Sequence, residues 1–243
     1  CTTSFAALDS SVAMEQLRKD HPNLLTVDRF GQVHKLIDKQ LSTGRTPLAS
    51  AEDFIANFAT ALDVDAKEFI ERGPFQDRHT HQELMYIPET GQHKFTGVYY
   101  MQTADGLPVY GSRLMVLVRN INGYPAVSAT TDLRDVKGYK KPQRVFASEA
   151  VALMAAANRL GKGVTISNPE LMVFAGTDKE HHEPVAVLVF EATQGGSWDP
   201  ETYRKLELVV HAQTGEVIHE TSRILHVDGN VSGVATESSG ADV

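Results

Sequence analysis

Gly97-Val98-Tyr99-Tyr100-Met101-Gln102-Thr103-Ala104-Asp105-Gly106-Leu107-Pro108-Val109-Tyr110-Gly111-Ser112-Arg113-Leu114-Met115-Val116-Leu117-Val118 is the stretch that decides the fold. Apolar and polar residues roughly alternate on both sides of Asp105-Gly106, and many are β-branched or aromatic. That is the pattern of two half-buried strands around a turn. Asp-Gly is a strong hairpin signal, because glycine accepts the positive φ such a turn needs. Pro108 has no N–H to give to a ladder, which places it at an edge or among a strand's first residues.

On the N-terminal side, Ser50 is placed to cap a helix over residues 51–62. Phe54, Phe58, Ala61 and Leu62 recur at i, i+4, i+7 and i+8, one face of a 3.6-residue period. Glu52 and Asp53 fall in its first turn, where negative charge suits the helix dipole. A short second piece runs over 66–70. Nearer the start, Ser10 or Ser11 caps a helix with Val12, Met14 and Leu17 as its apolar contacts, and His21-Pro22 ends it. Residues 24–37 read as a hairpin turning near Phe30-Gly31. Residues 78–87 and 124–133 read as strands, with a turn at Ile121-Asn122-Gly123. Residues 75–133 thus form an antiparallel meander, one face of which packs on the Phe54/Phe58 helix.

Residues 137–144 are polar and basic, with Gly138 and Pro142, and mark a linker. The pattern then restarts. Ser148 caps a helix over 149–160, with Ala150, Leu153, Met154 and Ala157 on one face and Gly161 placed to stop it. Strands come next at 170–174, 184–192, 205–212 and 216–226, the last two joined by Gln213-Thr214-Gly215. The fold class is α+β, with two helix-on-antiparallel-sheet units in tandem at 1–140 and 145–226. A Gly-, Ser- and Ala-rich tail, 227–243, reads as a flexible or extended segment.

The 243 residues carry a formal net charge of −8, which argues against nucleic acid or an anionic membrane surface as partner. No run approaches the ~18–20 apolar residues that span a bilayer. A signal peptide is not evident, as is normal for a mature or trimmed chain. Cys1 is the only cysteine, so neither an internal disulfide nor a cysteine-based zinc site can form. Three readings stand for it: a boundary residue, the lipid-bearing first residue of a bacterial lipoprotein, or a nucleophilic thiol.

Gln102-Thr103-x-x-Gly106-x-Pro108-Val109-Tyr110-Gly111, with a long strand after it, resembles the propeptide (FTP) module of fungalysin- and thermolysin-type zinc metallopeptidases. That module typically reads QT-x-NG-x-PV-[FY]-G. Asp105 stands for the usual Asn and makes the same turn, and Met101 replaces a common Gln. The second unit resembles a PepSY domain through Ser148-Glu149-Ala150, the strand over 184–190, and Leu208-Val209-Val210-His211-Ala212-Gln213-Thr214-Gly215-Glu216-Val217-Ile218. Family members usually carry Asp where His211 stands. The two resemblances cover roughly residues 10–226, in the order found in metallopeptidase precursors.

The resemblance implies that the units are cystatin-like. It implies that the chain is the propeptide region of a secreted zinc metallopeptidase, serving as intramolecular chaperone and inhibitor. Its partner would be the catalytic domain, in cis or in trans. The chain leaves the second unit toward that domain, which singles out Arg223, Ile224, Leu225, His226, Val227, Asp228, Gly229, Asn230, Val231, Ser232, Gly233 and Val234 as the partner-binding stretch. The location would be extracellular or periplasmic. The alternative is a stand-alone secreted or lipid-anchored FTP/PepSY binding protein, with Cys1 as the anchor.

Residues that carry chemistry are sparse. The H-E-x-x-H motif of zinc peptidases is absent, and Pro184 interrupts the one start, His182-Glu183. His79-x-His81-x-Glu83 puts three ligand types on one strand face, but alternate strand residues lie ~6.5–7 Å apart and no fourth ligand is evident. They read as solvent-facing positions, as do His181-His182-Glu183, Asp178 and Glu180 in a polar turn. Nucleophile elbow, phosphate loop and dinucleotide fingerprint are all missing. No catalytic residue, cofactor or metal is therefore expected. Trp198, in the Gly195-Gly196-Ser197 loop, reads as folding back on its own unit, with an interface anchor as the alternative. Ten histidines raise pH-gated release of a partner near neutrality.

Overall fold

The structure, a computed structural model, describes residues 9–29, 31–73, 79–143, 148–197, 199 and 201–224. It is a mixed α+β protein with two antiparallel sheets. In the first part, helix α1 (Ser10–Asp20) leads to strands β1 (Leu25–Arg29) and β2 (Gln32–Ser42), then helix α2 (Pro47–Phe58). Strands β3 (Phe69–Glu71), β4 (His81–Ile87), β5 (Gln92–Ala104), β6 (Leu107–Pro108), β7 (Arg113–Arg119) and β8 (Ala126–Asp132) come after it. They order as β1-β2-β8-β7-β5, and β5 is long enough to pair β3, β4 and β6 as well. Helix α3 (Glu149–Leu160) then precedes β9 (Thr165–Ile166), β10 (Glu170–Gly176), β11 (His181–Gln194), β12 (Arg204–His211) and β13 (Val217–Ser222). Their order is β10-β11-β12-β13, with β9 on β11.

The Asp105-Gly106 turn forms as the sequence requires, with φ 47° and 79°, both in the left-handed region that a type I′ turn demands. The chain beyond this turn is not one long strand. β6 is only two residues, Gly111 turns the chain at φ 69°, and β7 rejoins β5 further back, with Tyr100 opposite Leu114. The interruption is stabilised by Ser112, whose hydroxyl donates to Val109 O and accepts from Gln102 N.

Helix α2 seats Phe54 and Phe58, stacked at 4.5 Å, on the first sheet against Leu36, Val98, Leu114, Val116 and Val118. Its start differs from the expectation. Thr46 is the cap, accepting from Ala49 N, and Pro47 opens the first turn, where a missing N–H costs nothing. Ser50 is therefore one turn inside, buried, with its hydroxyl on Tyr124 O. Glu52 and Asp53 lie mid-helix, away from the dipole's positive end. The helix ends at Phe58, and Ala61 and Leu62 reach the core from a 3-10 turn, Thr60–Leu62. The expected piece at 66–70 divides into a 3-10 turn, Ala66–Glu68, and the start of β3. α1 is capped by Asp9 rather than Ser10 or Ser11, its carboxylate accepting from Ser11 N. Strand β8 starts at Ala126 because Tyr124, at φ 41°, belongs to the turn.

Helix α3 begins and ends as read, at Ser148 and Gly161, but buries a different face. Ala152, Ala155 and Ala156 pack on Leu188, Phe190, Leu208 and Val210, while Leu153 and Met154 are 44% and 58% exposed. Three small side chains let the helix backbone approach the sheet closely, so the larger residues turn outward. Residues 181–183 belong to β11, not to a turn. Along β11 and β12 the sides alternate. Leu188, Phe190, Leu208 and Val210 face α3, and Val187, Val189 and Val209 face the opposite way into a separate cluster with Met172 and Phe174. Burial of both faces explains why these strands read as near-continuous apolar runs.

Candidate functional site: the joint and the C-terminal exit

The second sheet's far face is covered by the opening motif. Gln102 sets the geometry: its side-chain amide donates to Arg134 O at 3.1 Å and its Oε1 accepts from Arg134 N at 2.9 Å. Thr103 Oγ1 donates to Glu68 O at 2.9 Å. Held this way, the bend at Pro108–Gly111 projects Val109 and Tyr110 onto β10. Val109 bridges Val173 in parallel, and Tyr110 N donates to Val173 O at 2.8 Å. Leu107 and Val109 pack with Val173 and Leu171, joined by Val136 and Tyr139 from the connector. The Tyr110 ring lies 5.8 Å from Phe174 and 6.2 Å from His219.

Polar pairs surround this apolar patch. Arg72, just past β3, makes a two-pronged pair with Glu170, both contacts at 2.5 Å. Arg134 pairs with Asp178 in the β10–β11 turn. The Tyr110 hydroxyl donates to Glu207 Oε1 at 2.7 Å, and Arg223 takes the carboxylate's other oxygen. Glu207 is a buried charge, its side chain 5% exposed. Burial first, and the bond to Glu207 second, push the Tyr110 hydroxyl far above its usual pKa. The hydrogen bonds to Glu207 and Glu170 raise those of Arg223 and Arg72. The expected linker is thus docked: Lys137 pairs with Asp63, and Lys141 N donates to Asp105 at 2.8 Å. A cleft of about 790 Å³ opens beside it, lined by Lys67, Glu68, Arg134, Lys137 and Lys140 among others.

Of the partner-binding stretch, Arg223 and Ile224 are described. Arg223 N donates to Lys205 O at 2.9 Å, and Ile224 N to Ser222 Oγ at 3.3 Å. Strand β13 stops at Ser222, short of the expected 226. Leu225 to Val234, the rest of the tail, Cys1, Trp198 and Arg144 lie outside the described residues. His81 Nε2 is 3.9 Å from Glu71, and Glu83 is 3.1 Å from His93 Nδ1. Among the described residues, no three His, Cys, Asp or Glu side chains gather closely enough to hold a metal ion. No helix among them is long and apolar enough to cross a membrane.

His211 has a local task. Its Nδ1 accepts from Gln213 N at 3.1 Å and Thr214 N at 3.2 Å, closing the turn into β13 as an Asp side chain would. Sequence reasoning missed Glu207, Tyr110, Arg72 and Glu170 as a set. Glu207 was the available signal, a lone charge in the run Leu206-Glu207-Leu208-Val209-Val210.

Neither protein-family models nor curated proteins give a match to this chain. Among solved structures, the Bacillus megaterium YpeB C-terminal domain aligns over 89% of this chain and 98% of its own, at 10% identity and a TM-score of 0.35.

Proposed function

We propose that this chain is the propeptide region of a secreted zinc metallopeptidase, acting as intramolecular chaperone and inhibitor rather than as an enzyme. In this reading 1–140 is an FTP-like module, 145–226 a PepSY-like domain, and 227–243 the segment that runs toward the catalytic domain. Its location is extracellular or periplasmic. One observation carries the reading. The residues that resemble the propeptide motif, Gln102, Thr103, Gly106, Val109, Tyr110 and Gly111, work as one device that fixes the second sheet against the first. A platform already rigid before it meets a partner loses little freedom on binding, which favours templating another domain. Strand addition in a peptide-binding cleft is the binding mode this reading assigns to residues 225–234.

The test uses this chain and its cognate thermolysin-type catalytic domain, produced separately. The chain is expected to slow peptide hydrolysis and to speed recovery of activity from denaturant. Removing residues 225–234 should abolish the inhibition and spare the refolding effect. A chain that changes neither rate overturns the reading.

A further inference from the structure

We propose that Arg223 is a latch: drawing the C-terminal chain off the second sheet loosens the joint between the two sheets. The inference rests on the propeptide reading only for what pulls on the chain. The latch itself is a property of this protein alone.

Glu207 sits within β12, and its carboxylate meets the first part of the chain. Water hardly reaches it, so both oxygens need partners. Tyr110 supplies one and Arg223 the other. The tyrosine belongs to the bend that bridges β10, and the arginine stands at the end of the described chain, next to Ile224. One buried charge is therefore shared by the joint and the exit. If the guanidinium leaves, the carboxylate keeps only a phenol, and it turns toward the water that enters where the half-exposed guanidinium stood, away from Tyr110. The coupling is reciprocal: a closed joint holds Glu207 where it captures Arg223, and a seated Arg223 keeps the joint closed.

Hydrogen exchange on the whole chain tests this. The Tyr110 amide, bonded to Val173 O, reports the joint, and the Val116 amide in the first sheet serves as control. Arg223→Ala is expected to speed exchange at Tyr110 by about tenfold or more, with less than about a twofold change at Val116. Arg223→Lys should fall between it and the wild type. Once Tyr110→Phe is present, Arg223→Ala should add little, because the shared carboxylate is already uncoupled from the joint. Unchanged protection at Tyr110 in a folded Arg223→Ala protein overturns the latch. If that variant does not fold, Arg223→Gln gives the same reading, because it keeps a polar side chain over Glu207 and removes the charge that neutralises it. Unchanged Tyr110 protection there overturns the proposal equally. Inhibition assays do not enter, so the latch and the propeptide reading fail separately.

Discussion

Shortening Val109 to alanine measures how far the two sheets behave as one folding unit. Val109 is fully buried, packed on Val173 across the joint and next to Leu107 and Leu171. Val→Ala removes two carbons, worth about 1.6 kcal/mol at ~0.8 kcal/mol per buried carbon. A cavity term raises the total to roughly 2–3 kcal/mol, because the bend around it is pinned by Ser112 and Gln102 and cannot collapse freely. Urea unfolding measured by far-UV circular dichroism, with intensity at two wavelengths, is the assay. One transition should move to lower urea with its slope unchanged, since the native surface is the same. A loss below about 0.5 kcal/mol would mean the joint contributes little to stability. Two separated transitions, only one of which moves, would show that the sheets unfold independently. Either result refutes the argument that this contact makes one cooperative body.

Ala156→Leu should destabilise by about 1–3 kcal/mol in the same assay, because it forces three extra carbons between α3 and the sheet, whereas Met154→Lys on the exposed face should stay within ~0.5 kcal/mol; the opposite ranking would restore the face read from sequence. His211→Asp should keep the turn into β13 and its stability, while His211→Ala should cost about 1 kcal/mol for two orphaned N–H groups; equal Tm values for the two would remove the capping role. Stability should fall in acid. Asp9, Asp65, Asp199 and Glu220 have lowered carboxyl pKa values through hydrogen bonds to Ser11, Lys67, Thr202 and Arg159. Their contribution is present above the unfolded values near ~4 and is lost as pH drops through the lower folded ones. Glu220→Gln should flatten the urea midpoint against pH. Burial raises the Glu68 carboxyl, so its contribution has the other sign, and Glu68→Gln should gain stability at neutral pH.

Local signals were the legible ones. Asp105-Gly106, Ser148 and Gly161 each act through neighbours a few residues away, the spacing of Phe54 and Phe58 is itself local, and each stands where its chemistry puts it. Ser50 misled because a serine near a helix start is equally suited to bonding a distant carbonyl, and the competing Thr46-Pro47 pair is the stronger start. Leu153 and Met154 misled for a different reason. Apolar periodicity finds a stripe but not its width, and here alanines won the core because depth of approach outweighed side-chain area. The joint was illegible because its partners are far apart in the chain. Arg72 meets Glu170, and Tyr110 meets Glu207, across about a hundred residues of sequence.

The double-sided burial of β10, β11 and β12 has a bearing on biosynthesis. Released alone, the second sheet would show solvent a strip of Met172, Phe174, Val187, Val189 and Val209, the kind of surface that draws chains into aggregates. A ribosome delivers the first sheet earlier, so the cover for that strip exists before the strip itself is made. Reversing the order of the two halves in a circular permutant would remove that shelter during synthesis, and yield of soluble protein should suffer before any property of the finished molecule does.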